Sequence, residues 1–283
     1  MGMKTPDPLV DRYGREVAEF IRAALAGDEA YLTEDFIALA AQEVALYHGE
    51  RSVDEVRAVR AMILTRAWAR MRAGRKRPLH GSRNRHSRDE ITVQKRDIPY
   101  SYFFAVEDST LTHRRYDAGT TDEMDRAGFL MADAVTVLPY DPVRDRVLVV
   151  EQFRYGTYVR GEASPWMLEP IAGRIDPGET PNETAAREAR EEAGLTIGAL
   201  HQIAEFYPSP GAASEHITSY VAICDLPDGC AGSGGLDDEH EDIAASLYTY
   251  DTLIEMCDAG QLDTGPLYLS ALWLARHRDR LRA

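Results

Sequence analysis

The sequence predicts an α/β fold that follows a small helical N-terminal region, and three observations carry this prediction. Apolar residues in the first quarter of the chain recur three and four positions apart, which is the spacing of one helix face. From about residue 90, β-branched runs alternate with loops rich in Gly and Pro and with charged helical stretches. With 44% hydrophobic and 28% charged residues, a chain of 283 residues can bury a globular core.

Residues 1–75 are predicted to be the helical region, with helical patterning from residue 7 onward. Between Val53 and Leu64 the apolar residues keep the helical period, so we expect one helix there. Ser52 is its expected N-cap, and Glu55, three residues later, completes the pattern of a capping box. Because no cluster of acids or nucleophiles occurs here, we interpret the region as an accessory or dimer-stabilising element.

Residues 76–90 are predicted to be a basic linker. The stretch 74–88 is rich in Arg, contains Gly and Pro, and has no apolar period. A nucleic-acid or phosphate-binding patch is the alternative interpretation. The formal net charge of −15 repels polyanions, which favours the solvated linker and predicts that nucleic acid is not a partner.

Residues 91–283 are predicted to form one α/β domain. Strands are expected at 134–138 and 147–150, because both runs are β-branched and a turn signal, Asp-Pro, separates them. A strongly charged helix is expected from about Pro181 to Ala193, a further strand around 217–224, and two helices at the C-terminus.

The three cysteines and the absence of long apolar runs predict a cytoplasmic protein. Cys224, Cys230 and Cys257 form no close Cys-x-x-Cys pair, and an odd, sparse set is not typical of a disulfide framework. No apolar run approaches the roughly 18–20 residues that a membrane span needs. The N-terminus shows no apolar segment of a secretory signal. We therefore expect no membrane partner.

Three carboxylates share one face of the predicted charged helix. Glu188, Glu191 and Glu192 stand at positions i, i+3 and i+4, where like charges repel one another. A hard divalent cation with oxygen ligands would neutralise them, and Mg²⁺ typically takes a few carboxylates plus substrate phosphates. The alternative interpretation is an acidic helix face that is simply exposed to solvent. The three residues alone do not decide between a cation site and such a face.

The spacing around these carboxylates is much more specific. The segment GRIDPGETPNETAAREAREEAGL, residues 173–195, fills every fixed position of the Nudix box, which it resembles in full. The resemblance to Nudix hydrolases extends over about residues 95–283 and is closest to the ADP-ribose pyrophosphatase branch. Further motifs that carry it are Glu151–Arg154, Pro165–Glu169, Ser209–Gly211 with Ser214-Glu215, and Asp238–Ile243. The resemblance implies an α/β/α sandwich with a mixed sheet.

The resemblance also implies roles for individual residues of the metal centre. The implied metal ligands are the carboxylates of Glu188, Glu192 and Glu241 and the carbonyl of Ala172. The implied catalytic residues are Glu239, as the general base that deprotonates water, and Glu191. The implied cofactor is Mg²⁺, with Mn²⁺ as the alternative ion.

The remaining implied roles concern the shape of the motif and the substrate. Gly173, Glu179, Arg187 and Gly194 are the implied structural residues of the motif, with a salt bridge between the Glu and the Arg. The implied substrate-binding residues are Arg154, Arg126, Glu215, Phe103 and Pro210. Pro210 lies 15 residues after Leu195, near the position of a proline that is associated with ADP-sugar specificity in this branch.

The resemblance implies Mg²⁺-dependent hydrolysis of ADP-ribose to AMP and ribose 5-phosphate by a homodimer, with other ADP-sugars as alternative substrates. The first alternative is a pyrophosphatase for GDP-mannose or for nucleoside diphosphate sugars in general. A second alternative, a sensor that binds ADP-ribose without cleaving it, is disfavoured because the box carboxylates are all present. An RNA-directed Nudix enzyme is disfavoured by the net charge of −15.

Overall fold

A computed structural model describes residues 7–74, 86–235 and 241–283. The predicted linker therefore falls mostly outside the described residues. The described chain divides into two compact units. The first contains the described residues up to Ala132 together with Asp176–Gly178 and Ser209–Glu215. The second contains Asp133–Ile175, Glu179–Pro208 and the described residues from His216 onward.

Five α-helices form the N-terminal part of the first unit, as the helical period predicted. They are α1 Pro8–Tyr13, α2 Arg15–Leu25, α3 Glu34–Val44, α4 Val53–Ala58 and α5 Arg60–Ala73, with a short 3₁₀ turn at Ala45–Tyr47. Their apolar faces meet in one core that includes Ile21, Phe36, Tyr47 and Ile63. Burying these faces stabilises helices that would be marginal in isolation.

The start of α4 confirms the predicted capping box, in which the Ser52 hydroxyl accepts from the Glu55 amide and the Glu55 carboxylate accepts from the Ser52 amide. The predicted single helix from Val53 to Leu64 is wrong, because the backbone leaves helical geometry at Val59, with φ −110° and ψ 12°. Long-range contacts lie on both residues at this break. Val59 packs against the helical core, and the Arg60 side chain that follows is bound to Glu29 at 2.7 Å.

The first unit also contains a three-stranded antiparallel sheet in the order β1-β2-β3. Its strands are β1 Ile91–Ser101, β2 Ala105–His113 and β3 Met124–Leu130. The segment 209–215 joins the end of β3, where the Phe129 amide donates to the Ala212 carbonyl at 2.7 Å and the Ser214 amide to the Phe129 carbonyl at 2.9 Å. This sheet and the helices belong to the same unit.

The second unit is built on a mixed sheet in which eight described strands take part. They are β4 Ala134–Asp141, β5 Arg146–Phe153, β6 Trp166–Glu169, β7 Ile171–Arg174, β8 Leu200–Phe206, β9 Ile217–Ile223, β10 Ser233–Gly234 and β11 Ile243–Thr249. The order is β10-β11-β5-β4-β9-β8, with β6 paired to β5 and β7 paired to β4. β4 and β9 are parallel, whereas the other pairs are antiparallel. The predicted strands at 134–138, 147–150 and 217–224 are confirmed.

Helices cover both faces of this sheet. They are α6 Tyr155–Arg160, α7 Pro181–Ala193, α8 Tyr250–Asp258 and α9 Gly265–Arg282. Leu138 and Tyr140 of β4 pack with the apolar residues of α8 and α9. Side chains alternate along a strand, so Val135 points to the opposite face, where its partner Gly173 in β7 lies against α7. The arrangement confirms the predicted α/β/α sandwich with a mixed sheet.

Within residues 7–74, 86–235 and 241–283, no helix is both long and apolar enough to cross a bilayer.

A buried hydroxyl in α9 provides a test of the packing in the second unit. The Ser270 side chain is fully buried, and its Oγ has no hydrogen-bond partner. We expect Ser270→Ala to raise the free energy of unfolding by about 1 kcal/mol, because an unsatisfied buried polar group is removed and helix propensity improves. Urea unfolding followed by circular dichroism measures the change.

The matched control is Ser219→Ala. Ser219 is equally buried, but its hydroxyl forms a 2.6 Å hydrogen bond with Thr136. Removing one partner of a buried hydrogen bond destabilises, so this variant should unfold at lower urea concentration than the unmodified protein. A Ser270→Ala protein that is less stable than the unmodified protein would contradict the packing described for α9.

Candidate active site

Residues at both ends of helix α7 determine where the helix begins and ends. Thr180 and Glu183 form a capping box at its start, and Pro181 occupies the first turn, where a missing amide costs little. Gly194 ends the helix in the left-handed conformation, with φ 63°. The predicted span Pro181–Ala193 is confirmed. Local interactions therefore fix which side chains α7 presents together.

Two of the three acidic side chains on α7 are buried. Glu188 is 9% exposed and Glu192 is 1% exposed, whereas Glu191 is half-buried. Burial raises the pKa of Glu188 to about 7 and that of Glu192 to about 8, because a charged carboxylate loses its hydration. Two buried acids this close to each other need a cation or protons to balance them.

The backbone of β7 approaches these two carboxylates closely. The Ala172 amide donates to Glu192 Oε2 at 3.2 Å. A Cβ atom built on Gly173 would lie 1.8 Å from Glu188 Oε1, so a larger residue would displace the carboxylate. The same stretch of strand thus holds one acid by a hydrogen bond and leaves room for the other.

Arg187 joins the acids of α7 to the loop before it. Its Nε donates to Glu179 Oε1 at 2.9 Å, and its Nη1 lies 2.7 Å from Glu188 Oε1 and 2.9 Å from Glu191 Oε2. Its Nη2 donates to the Arg174 carbonyl at 3.1 Å. One planar guanidinium therefore fixes the loop and two of the acids in a single arrangement.

Arg154 and Glu169 form a further charged pair in this unit. Arg154 Nε lies 2.7 Å from Glu169 Oε2, and burial raises the pKa of Glu169. The positive charge of Arg154 also acts on Glu192, whose pKa it lowers against the larger effect of burial. Glu169 was missing from the predicted site residues. It closes the motif Pro165–Glu169, but its contact depends on the register of β5 with β6, which the sequence does not contain.

The charge of Glu241 acts on the two buried carboxylates of α7. Its negative charge raises the pKa of both Glu188 and Glu192, although burial is the first cause in each case. Glu239, the predicted general base, lies outside the described residues. The predicted ligands Glu188 and Glu192 thus lie together against the Ala172 strand, and the charges of Glu241 and Arg154 act on them.

A divalent cation fits this group of residues on chemical grounds. In the described ranges, no group of three His, Cys, Asp or Glu side chains is arranged so that it could hold a metal ion. Glu188 already forms a salt bridge with Arg187. Mg²⁺ does not require such a cluster, since it keeps several waters and takes one or two carboxylates plus substrate phosphates. The buried Glu192 carboxylate, with a raised pKa, is the kind of donor that a hard cation would neutralise.

The other predicted substrate residues lie in the first unit. Arg126 and Pro210 line one cavity of about 460 Å³, together with Arg88, Arg96 and Phe129. Phe103 and Glu215 are not among the residues that line it. Phe103 is exposed in the turn between β1 and β2, and Glu215 is half-buried at the end of the segment 209–215.

Comparison with known proteins identifies the family. The model of the NUDIX domain matches residues 130–268. An ADP-ribose pyrophosphatase of Escherichia coli K12 is 32% identical over 195 residues, which are 69% of this chain and 92% of that protein. The ADP-ribose pyrophosphatase of Haemophilus influenzae is 30% identical over 198 residues, 69% and 91% of the two chains.

Two further matches extend the comparison. A GDP-mannose pyrophosphatase of Escherichia coli is 29% identical over 180 residues, which are 64% of this chain and 92% of that protein. The crystal structure of an ADP compounds hydrolase superposes with a TM-score of 0.53 at 22% identity, covering 70% of this chain and 100% of that chain, and it supports the fold. The chain therefore belongs to the Nudix hydrolase family, in the branch that contains the ADP-ribose pyrophosphatases, and it is an enzyme.

Proposed function

We propose that this enzyme hydrolyses the diphosphate bond of a nucleoside diphosphate sugar, and that its substrate is ADP-ribose, which yields AMP and ribose 5-phosphate. The observation that carries the proposal is the pair of buried carboxylates on α7, Glu188 and Glu192, with Arg154 acting on the latter. The names of the relatives at 30–32% identity support ADP-ribose as the substrate.

The proposed chemistry needs positive charge beside the diphosphate. Bound Mg²⁺, or Mn²⁺ in its place, would neutralise phosphate oxygens and lower the pKa of a coordinated water. Glu188, Glu192, Glu241 and the Ala172 carbonyl would hold it. Arg154, which is paired with Glu169, would contribute a fixed positive charge to the leaving phosphate.

The bond changes are those of a simple hydrolysis. The oxygen of water adds to the adenosyl phosphorus, and the bond from that phosphorus to the bridging oxygen breaks. The bridging oxygen leaves with ribose 5-phosphate. In this proposal Glu239 accepts the proton of water, Glu191 supports the same site, and no covalent enzyme intermediate forms.

Four further assignments belong to the same proposal. Arg126, Phe103, Glu215 and Pro210 contact the nucleoside or ribose, and the chain acts as a homodimer. Residues 1–75, 76–90 and 91–283 are its accessory region, linker and hydrolase domain. We place the enzyme in the cytoplasm, because Cys224, Cys230 and Cys257 are an odd, sparse set that is not typical of a disulfide framework.

A substrate panel tests the proposal. We expect AMP release from ADP-ribose in Mg²⁺ and none in EDTA, with lower kcat/KM for ADP-glucose, GDP-mannose, NADH and diadenosine polyphosphates. In water labelled with heavy oxygen, the label should appear in AMP. A Glu192→Gln preparation purified in the same way reports any contaminating phosphatase.

Other outcomes assign a different function. Preference for GDP-mannose would keep the chemistry and favour the second candidate, which the 29% identical GDP-mannose pyrophosphatase supports. Binding of ADP-ribose with no turnover of any substrate in Mg²⁺ or Mn²⁺ would overturn the hydrolase proposal and favour a sensor.

A further inference from the structure

The helical region contacts the rest of the first unit at Ser101, the last residue of β1. Ser101 is fully buried. Arg51, from the loop before α4, donates its Nη1 to the Ser101 carbonyl at 3.0 Å. Arg66, from α5, places its Nη2 at 3.4 Å from the Ser101 hydroxyl. Two arginines of the helical region thus hold both the backbone and the side chain of one strand residue.

Both arginines are themselves fixed by buried partners. Arg66 and Glu43 form an ion pair whose side chains are 3% and 0% exposed, and the Tyr47 hydroxyl donates to the same carboxylate at 2.9 Å. The guanidinium of Arg51 lies 5.0 Å from the centre of the Tyr47 ring. A buried, hydrogen-bonded network of this kind permits few alternative arrangements, so the position of Ser101 is set by the helical core.

Ser101 begins the turn that carries Phe103. Across this turn the Tyr102 amide donates to the Phe104 carbonyl at 3.0 Å, and the Arg51 guanidinium lies 5.5 Å from the centre of the Tyr102 ring. On the other side, the Phe104 ring packs edge-on against Phe129 of β3, with centroids 5.1 Å apart. Phe103 between these anchors remains 67% exposed.

We propose that Arg51 is a positioning residue through which the helical region holds the β1–β2 turn, so that Phe103 is presented in a preset place for the nucleobase. The inference rests on the proposed function, which assigns Phe103 to the substrate. A contact that is ordered before binding does not lose conformational entropy on binding. Releasing the turn should therefore weaken substrate binding while leaving the chemistry at α7 intact.

The test compares Arg51→Met with Arg51→Lys. Met keeps the aliphatic stem but cannot donate to the Ser101 carbonyl, and we expect KM for ADP-ribose to rise about tenfold with kcat changed less than about twofold. Lys retains a donor and should restore part of the affinity. The matched control is Arg57→Met. Arg57 lies in the same region and donates to a backbone carbonyl, that of Ala23, at 3.0 Å.

A double-mutant cycle shows whether Arg51 acts through Phe103. Phe103→Ala should raise KM by a similar factor, and Arg51→Met should add little in that background, because the two changes remove one contact. Fully additive effects would overturn the proposal. So would a parallel fall in kcat, or an equal rise in KM in Arg57→Met.

Hydrogen exchange separates this proposal from the assignment of the substrate. The Tyr102 amide should exchange faster in Arg51→Met than in the unmodified protein and in Arg57→Met. If the unmodified enzyme does not hydrolyse ADP-ribose, the proposed function fails, whereas exchange still decides the anchoring of the turn. Unchanged exchange in Arg51→Met would overturn the anchoring itself.

Discussion

Replacing Glu192 with Gln is expected to lower kcat about a hundredfold or more while the protein stays folded. The side chain keeps its size and its place beside the Ala172 amide, but it loses the negative charge that would hold the cation. Steady-state hydrolysis of ADP-ribose across a range of Mg²⁺ concentrations measures the effect. Near-normal Mg²⁺-dependent activity would show that Glu192 is not a metal ligand.

The control for this variant lies on the same helix. Glu183→Gln should leave kcat unchanged, because Gln completes a capping box as Glu does and Glu183 is exposed.

Stability in EDTA provides a second readout. Glu192 has its pKa raised to about 8, so its contribution to stability is present at low pH and is lost as the pH rises from about 4.5 through about 8. Between pH 6 and pH 9 the metal-free Gln variant should lose less stability than the metal-free unmodified protein, and an equal loss would contradict the burial of this charge.

Replacing Arg187 with Met is expected to lower the free energy of unfolding by about 2–4 kcal/mol and to abolish most activity. The change leaves Glu179, Glu188 and Glu191 without their common cation. Glu188 is buried, and a buried charge that loses its partner is strongly destabilising. The lower part of the range allows for the solvent that reaches the partly exposed Arg187 side chain. Urea unfolding and hydrolysis of ADP-ribose measure the two effects.

Arg190→Met is the matched control for this prediction. Arg190 occupies the same helix and is exposed, so its replacement should change the free energy of unfolding by less than about 0.5 kcal/mol. If Arg187→Met were as stable as Arg190→Met, the guanidinium would not organise the acids of α7.

The sequence predicted the local features of the molecule with good accuracy. The bounds of α7 follow from Thr180, Pro181 and Gly194, whose effects act within one helical turn. The capping box at Ser52 is equally local. The long helix expected from Val53 to Leu64 was wrong, because the backbone leaves helical geometry at Val59, and the Arg60 side chain that follows is bound to Glu29, a residue 31 positions away in the chain. Local patterns contain no information about such contacts.

What the sequence by itself determined is the set of carboxylates that α7 carries and the family to which their spacing belongs. Helical periodicity alone puts Glu188, Glu191 and Glu192 on one face. Only the tertiary structure decided that Glu188 and Glu192 are buried while Glu191 remains half-buried. The same holds for the pairing of Arg154 with Glu169. The physical reason is that burial and charge pairing depend on which strands and helices meet, and those contacts join residues far apart in the chain.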